Sequence, residues 1–161
     1  MTATIRVIRE NSFAWQCPLS RAALVSVLTA MRDACGLAKT PIDLTLADDA
    51  FISRVNAEQL GCGGPTNILS FPALIHTGVN PETDAGAEHG TAPGVALLLL
   101  SLDTLERECL LYGQDKTEHA VRLLAHGMAH VSGLDHGPAM DAVQEAAFAA
   151  GMRVAEQEES A

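Results

Sequence analysis

The stretch HGMAHVSGLDH, residues 126–136, decides how the rest of this chain is read. It places three histidines close together, His126, His130 and His136, with three residues between the first pair and five between the second. Residues four apart on a helix share a face, so His126 and His130 can point two imidazoles at one ion. Gly133 suggests how a third arrives. Glycine takes the left-handed conformation that ends a helix, so the chain can turn there and bring His136 to the same point. Three imidazoles with an open fourth position form the layout of a catalytic zinc, not of a closed structural one. A lone histidine is usually an ordinary core or surface residue; three at this spacing around a turn glycine read as metal ligands.

Working outward, residues 116–132 fit one helix. At ~100° per residue, Val121, Leu124, Met128 and Val131 fall within an arc of ~80°, an ordinary core stripe. His119, His126 and His130 fall within ~40° on nearly the opposite side, by the same geometry. A helix with work on both sides is expected to be central. His119 lies on the histidine stripe but nearly two turns from His126, which suits a supporting or surface role. His76 and His89 sit in PALIHTGVNPETDAGAEHGTAPG (72–94), rich in Gly, Pro and acids. That segment reads as a surface loop, such as the turn of a long hairpin, and its histidines as ordinary residues.

The remaining elements follow from periodicity and punctuation. ATIRVIRE (3–10) alternates weakly, as a first strand. In SRAALVSVLTAMRDACG (20–36), Leu24, Val25, Leu28 and Met31 share a helical face, Ser20 can cap and Gly36 can end the helix. PIDLTLAD (41–48) alternates cleanly as a half-buried strand. Asp48 can cap a helix over residues 48–60 with Phe51, Ile52 and Val55 inward. After the break GCGGP, NILSFP (67–72) and GVALLLLS (94–101) read as strands, the second buried. GCGGP has no Lys-Ser/Thr pair and opens no helix, so it is not a phosphate loop. A helix from Leu102 to Tyr112 ends at Gly113, the central helix starts with an Asp115/Glu118 capping pair, and a last helix runs from Gly137-Pro138 to Gly151. These elements make one α+β domain over residues 1–154, a small sheet of about four strands covered by about five helices. The acidic AEQEESA (155–161) reads as a disordered tail.

Composition bounds the function. The chain has 161 residues, 48% of them apolar, which suits one globular domain. The longest apolar run, GVALLLL, is far short of the roughly 20 residues a membrane helix takes, and the N-terminus has no apolar signal core. A cytoplasmic protein without a membrane association is expected. Cys17, Cys35, Cys62 and Cys109 are scattered and form no CxxC pair, so reduced thiols without metal are expected. Ten Lys and Arg against twenty Asp and Glu give a net charge of −10, which argues against broad charge-driven nucleic-acid binding but leaves room for a small basic patch.

The ligand spacing matches HExxHxxGxxH, the pattern of a protease class in which the Glu after the first His is the general base. Here that residue is Gly127. Glycine inside a helix costs about 1 kcal/mol relative to alanine, so it is expected to permit a close approach by substrate, water or another backbone. A peptidase of that class is disfavoured, and another metal-assisted hydrolysis is favoured.

HGMAHVSGLDH closely resembles the signature HGxLHLxGYDH of the YbeY family, bacterial rRNA maturation factors described as zinc-dependent endoribonucleases. VNAEQLGCGGPTNILSFP (55–72) is similar to the family segment LNxxFRxxDxPTDVLSFP, and PGVALLLLS falls where the family has a strand beginning LGDIVI. The blocks match in order and spacing over most of the chain. The resemblance implies a mixed sheet with surrounding helices and one Zn2+ per chain at His126, His130 and His136. It also implies single-strand-specific endoribonuclease activity in 16S rRNA maturation and ribosome quality control, with ribosomal RNA and the small subunit as partners. Nickel, cobalt or copper also accept three imidazoles. Asp135 matches the motif and suits orienting an imidazole or taking a proton. Thr66, Asn67 and Ser70 match the second block and suit the substrate cleft.

Three positions depart from the family pattern. Leu60 stands where the family has an arginine able to clamp a phosphate, Asn67 stands for the Asp of PTD, and Val95 for the Asp of LGD. Arg122, four residues before His126, is the candidate to supply a phosphate contact instead. Two other readings stay open: a ribosome-assembly factor that keeps the metal with weakened cleavage, and a metal hydrolase of a non-RNA substrate.

Overall fold

Four short runs of aliphatic and β-branched residues pair into one sheet in a computed structural model that describes residues 3–10, 16–73 and 94–161. The strands are β1 (Ile5–Arg9), β2 (Ile42–Ala47), β3 (Ile68–Phe71) and β4 (Ala96–Ser101), in the order β1-β2-β4-β3. β1, β2 and β4 run parallel, with Ile42 beside both Ile5 and Ala96, and β3 runs antiparallel to β4 with Ile68 beside Leu100. The sheet is therefore mixed, as expected. The antiparallel pair β3/β4 flanks residues 74–93, so His76 and His89 lie outside the described residues.

Five helices cover the sheet: α1 (Arg21–Ala34), α2 (Asp49–Leu60), α3 (Leu102–Tyr112), α4 (Lys116–Val131) and α5 (Pro138–Ser160). Their starts are where side-chain acceptors can satisfy the free amides of a first turn. Ser20 Oγ accepts from Ala23 N at 3.1 Å, Asp48 Oδ1 from Phe51 N at 2.8 Å and Asp115 Oδ1 from Glu118 N at 2.9 Å. Among the described residues no helix is long and apolar enough to cross a membrane.

The alternation of side chains along each strand divides the core in two. Ile42, Leu44, Leu98 and Leu100 face α1, α4 and α5, meeting Val27, Leu28, Met31, Val121, Leu124 and Met128. Each such fully buried side chain contributes roughly 1.5–3 kcal/mol. Ala47, Leu69 and Leu99 face the other way, against Ile52, Phe51 and Val55 of α2. α4 is central: Ala120, Val121, Leu124, Ala125, Met128 and Ala129 are fully buried, and the expected stripe of Val121, Leu124, Met128 and Val131 is core.

One boundary differs from the sequence reading. The last helix does not stop at Gly151 but runs to Ser160, through most of the acidic segment 155–161 expected to be disordered. Gly151 is not a terminator. It is buried, and a Cβ there would collide with Met31 Cε and lie 3.0 Å from Val121 Cγ1. The glycine lets α5 pack closely on α1 and α4, and Ala155 continues the same buried stripe, so the helix keeps a partner beyond it.

Candidate functional site

The C-terminal half of α4 carries His126 and His130, and the chain turns immediately after it. Ser132 N donates to Met128 O at 3.2 Å and Gly133 N to His130 O at 3.0 Å, with Gly133 at φ +82°. A positive φ strains any residue with a Cβ. That turn brings His136 back beside the helix. The ring centroids of His126 and His130 are 4.5 Å apart, those of His130 and His136 4.8 Å, and those of His126 and His136 6.0 Å. The three predicted ligands are thus one cluster.

Their protonation is partly fixed by a neighbour. His126 Nδ1 lies 2.9 Å from Gln144 Oε1 on α5. An amide oxygen only accepts, so Nδ1 carries the proton and His126 Nε2 presents its lone pair. That lone pair faces His130 Nε2 at 3.1 Å. Burial, followed by the fields of His126 and His136, holds the His130 imidazole below its ordinary pKa. All three effects favour the neutral His130 ring a metal needs.

The donor set suits a divalent transition ion. Imidazoles sharing one tetrahedral ion at about 2.0–2.1 Å have nitrogens roughly 3.3 Å apart and ring centroids roughly 5 Å apart. As the side chains stand, no group of three His, Cys, Asp or Glu residues among the described ones is posed as a complete ligand set. The His126–His130 nitrogens are in hydrogen-bond contact, and His136 lies farthest from His126.

Gly127 faces away from this cluster. A Cβ on it would lie 2.9 Å from both Ile68 Cδ1 and Leu98 Cδ2. The glycine is therefore where β3 and β4 close onto α4. A glutamate here would point into the apolar core, not at an ion.

The other predicted site residues divide. Asp135 is exposed beside His136, and its carboxylate makes no hydrogen bond with the described residues. The hydroxyls of Thr66 and Ser70 are likewise uncommitted. Asn67 is committed: Oδ1 accepts from Ile68 N at 2.7 Å and Nδ2 donates to Glu108 Oε1 at 3.2 Å. Arg122 is drawn toward α5, its guanidinium 3.9 Å from the centre of the Phe148 ring and 3.7 Å from carboxylate oxygens of Glu118 and Glu145. Leu60 ends α2 at 54% exposure. Val95 is 39% exposed just before β4, on the sheet face of Leu97 and Leu99, opposite the face that meets α4. His119 is half-buried against Glu108, 2.7 Å away.

Gln144 and Glu108 escaped the sequence reading. The signal was available: Gln144 interrupts the stripe Met140, Ala147, Gly151, Ala155 that α5 buries, and Glu108 follows buried Leu105 by three. A polar residue on an apolar stripe needs a buried partner.

The sequence matches the family described as Endoribonuclease YbeY over residues 14–150. It is 49% identical over 142 residues to Endoribonuclease YbeY of Nitratidesulfovibrio vulgaris, covering 83% of this chain and 86% of that one. It is 42% identical over 138 residues to Endoribonuclease YbeY of Oleidesulfovibrio alaskensis, covering 80% of each. The fold is similar to the solution structure of TM1509 from Thermotoga maritima, with a TM-score of 0.60 at 14% identity over 96% of this chain and 93% of that one.

Proposed function

We propose that this chain, which belongs to the Endoribonuclease YbeY family, is a zinc-dependent, single-strand-specific endoribonuclease of 16S rRNA maturation and ribosome quality control, working on the small subunit in the cytoplasm. The observation that carries the reading is the convergence of His126, His130 and His136 around the Gly133 turn. When bound, the ion supplies charge stabilisation to the phosphodiester under attack.

The chain's own residues supply the rest. His126, His130 and His136 hold the ion, and Gln144 keeps the His126 Nε2 lone pair directed inward. Asp135, exposed and uncommitted among the described residues beside the last ligand, takes a proton from the attacking water and returns it to the leaving ribose oxygen as the phosphorus–oxygen bond breaks. Thr66 and Ser70 carry free hydroxyls able to donate to phosphate oxygens. Arg122 takes no part, because Phe148, Glu118 and Glu145 already hold it.

One observation favours a second reading, an assembly factor that retains the metal with weakened cleavage. Leu60 offers no phosphate clamp, and the candidate substitute, Arg122, is engaged elsewhere. Incubation with a single-stranded oligoribonucleotide and its deoxy counterpart, beside His130→Ala, decides between them. The nuclease reading expects cleavage of the ribo-oligonucleotide by the parent alone. Binding without cleavage supports the assembly factor.

A further inference from the structure

A second polar network lies two turns back along α4. His119 Nε2 meets Glu108 Oε2 at 2.7 Å, with the two side chains only 11% and 23% exposed. Asn67 Nδ2 donates to both oxygens of Glu108, at 3.2 and 3.4 Å. Asn67 Oδ1 accepts from Ile68 N at 2.7 Å, and its backbone oxygen from Ser101 N at 2.9 Å. Three elements, α3, α4 and the entry to β3, are therefore tied at one residue.

Stability alone does not call for this arrangement. A half-buried carboxylate–imidazole pair contributes little over apolar residues of similar size. His119 Nδ1 is in addition buried without a hydrogen-bond partner, which costs further. What the network does achieve is placement. Asn67 is held at both ends of its side-chain amide and at its backbone carbonyl, so the residue to which Thr66 is joined is fixed in place. Thr66 itself is half-buried, and its hydroxyl is uncommitted. Ile68, two residues after Thr66, packs over Gly127, the neighbour of the ligand His126. His119 and His126, seven residues apart, share one face of α4 at roughly 10 Å along its axis.

We propose that Glu108 and His119 are positioning residues for the RNA backbone. Acting through Asn67, they hold Thr66 Oγ1 where it donates to a phosphate oxygen of an RNA strand whose scissile bond lies at the histidine cluster. This rests on the nuclease reading above and adds the residues that seat its substrate.

The test is a double-mutant cycle on the metal-loaded protein with a single-stranded oligoribonucleotide, reading KM, kcat, bound metal and Tm. Thr66→Val and Glu108→Ala are each expected to raise KM about tenfold, the effect of one lost charge-assisted hydrogen bond. kcat should stay within about twofold and metal content unchanged, since no ligand is touched. The double variant should be no worse than Glu108→Ala, because both act through Thr66. Glu108→Gln, which still offers an acceptor, should recover most of the loss. If Glu108→Ala does not fold, His119→Gln completes the cycle with Thr66→Val. A lower Tm with KM unmoved, or losses that multiply in the double variant, overturns the inference alone. A parent that neither binds nor cleaves the oligoribonucleotide overturns the nuclease reading and the inference with it.

Discussion

Gln144 Oε1 on α5 lies 2.9 Å from His126 Nδ1 on α4 and ties the last helix to the histidine cluster. An acceptor on the far nitrogen fixes the tautomer and raises the basicity of the near one, and losing such a partner weakens metal sites by about 10–100-fold. Gln144→Leu should show a loss in that range when zinc affinity is measured by competition with a chelator. Gln144→Glu, with a stronger acceptor, should bind at least as tightly as the parent. Unchanged affinity in Gln144→Leu would remove Gln144 from the site.

Gly127 answers the question raised by the motif. The residue after the first ligand is glycine because Ile68 and Leu98 occupy the space of a side chain. Overpacking a core costs about 1–3 kcal/mol, and the gain in helix propensity on replacing glycine is only about 1 kcal/mol. Gly127→Ala should therefore be less stable than the parent by about 1 kcal/mol in urea unfolding. Gly127→Glu should fail to fold or lose more than about 3 kcal/mol, because its carboxylate would be buried without a partner. A stable Gly127→Glu variant would contradict the placement of this face.

Acid should weaken both the fold and the metal site. The His130 pKa is lowered in the folded protein by burial first, then by His126 and His136. The unfolded chain therefore binds its proton more readily, and stability rises with pH across this window. The contribution is complete above the ordinary histidine pKa of about 6.5 and is lost as pH falls through it toward the depressed value. Urea midpoints of the metal-free protein should fall between pH 7.5 and 5.5, and His130→Gln should flatten that slope. A parent with no slope would contradict the reading.

Arg122 tests whether helix spacing alone identifies a phosphate contact. Its place over Phe148 makes it part of the α4–α5 packing. Arg122→Ala should lose about 0.5–1 kcal/mol of stability while RNA affinity and its salt dependence stay those of the parent. A shallower salt dependence would restore Arg122 to the RNA surface.

Much of this was legible from residue types and spacing. The positive φ of Gly133 and the return of His136 followed from a turn glycine between ligands. The caps Ser20, Asp48 and Asp115 and the span of α3 followed from local hydrogen-bond chemistry. What was not legible depended on partners distant in sequence. Gly151 has the look of a helix end and is a close-packing point, because Met31 and Val121 lie against it. Asn67 has the look of a cleft residue, yet Glu108, far along the chain, claims its amide. Arg122 has the right helical offset from His126, but Phe148 and Glu145 on another helix decide where its guanidinium goes.

The most direct measurement is a titration of the metal-free protein with Zn2+, following bound ion and cleavage of a single-stranded oligoribonucleotide in the same samples, beside His130→Ala. The account predicts that cleavage is absent without metal and rises in proportion to bound ion. It should saturate at about one ion per chain, the number three convergent imidazoles can hold, and His130→Ala should neither bind tightly nor cleave. Cleavage independent of bound metal, or equal in His130→Ala, would contradict it.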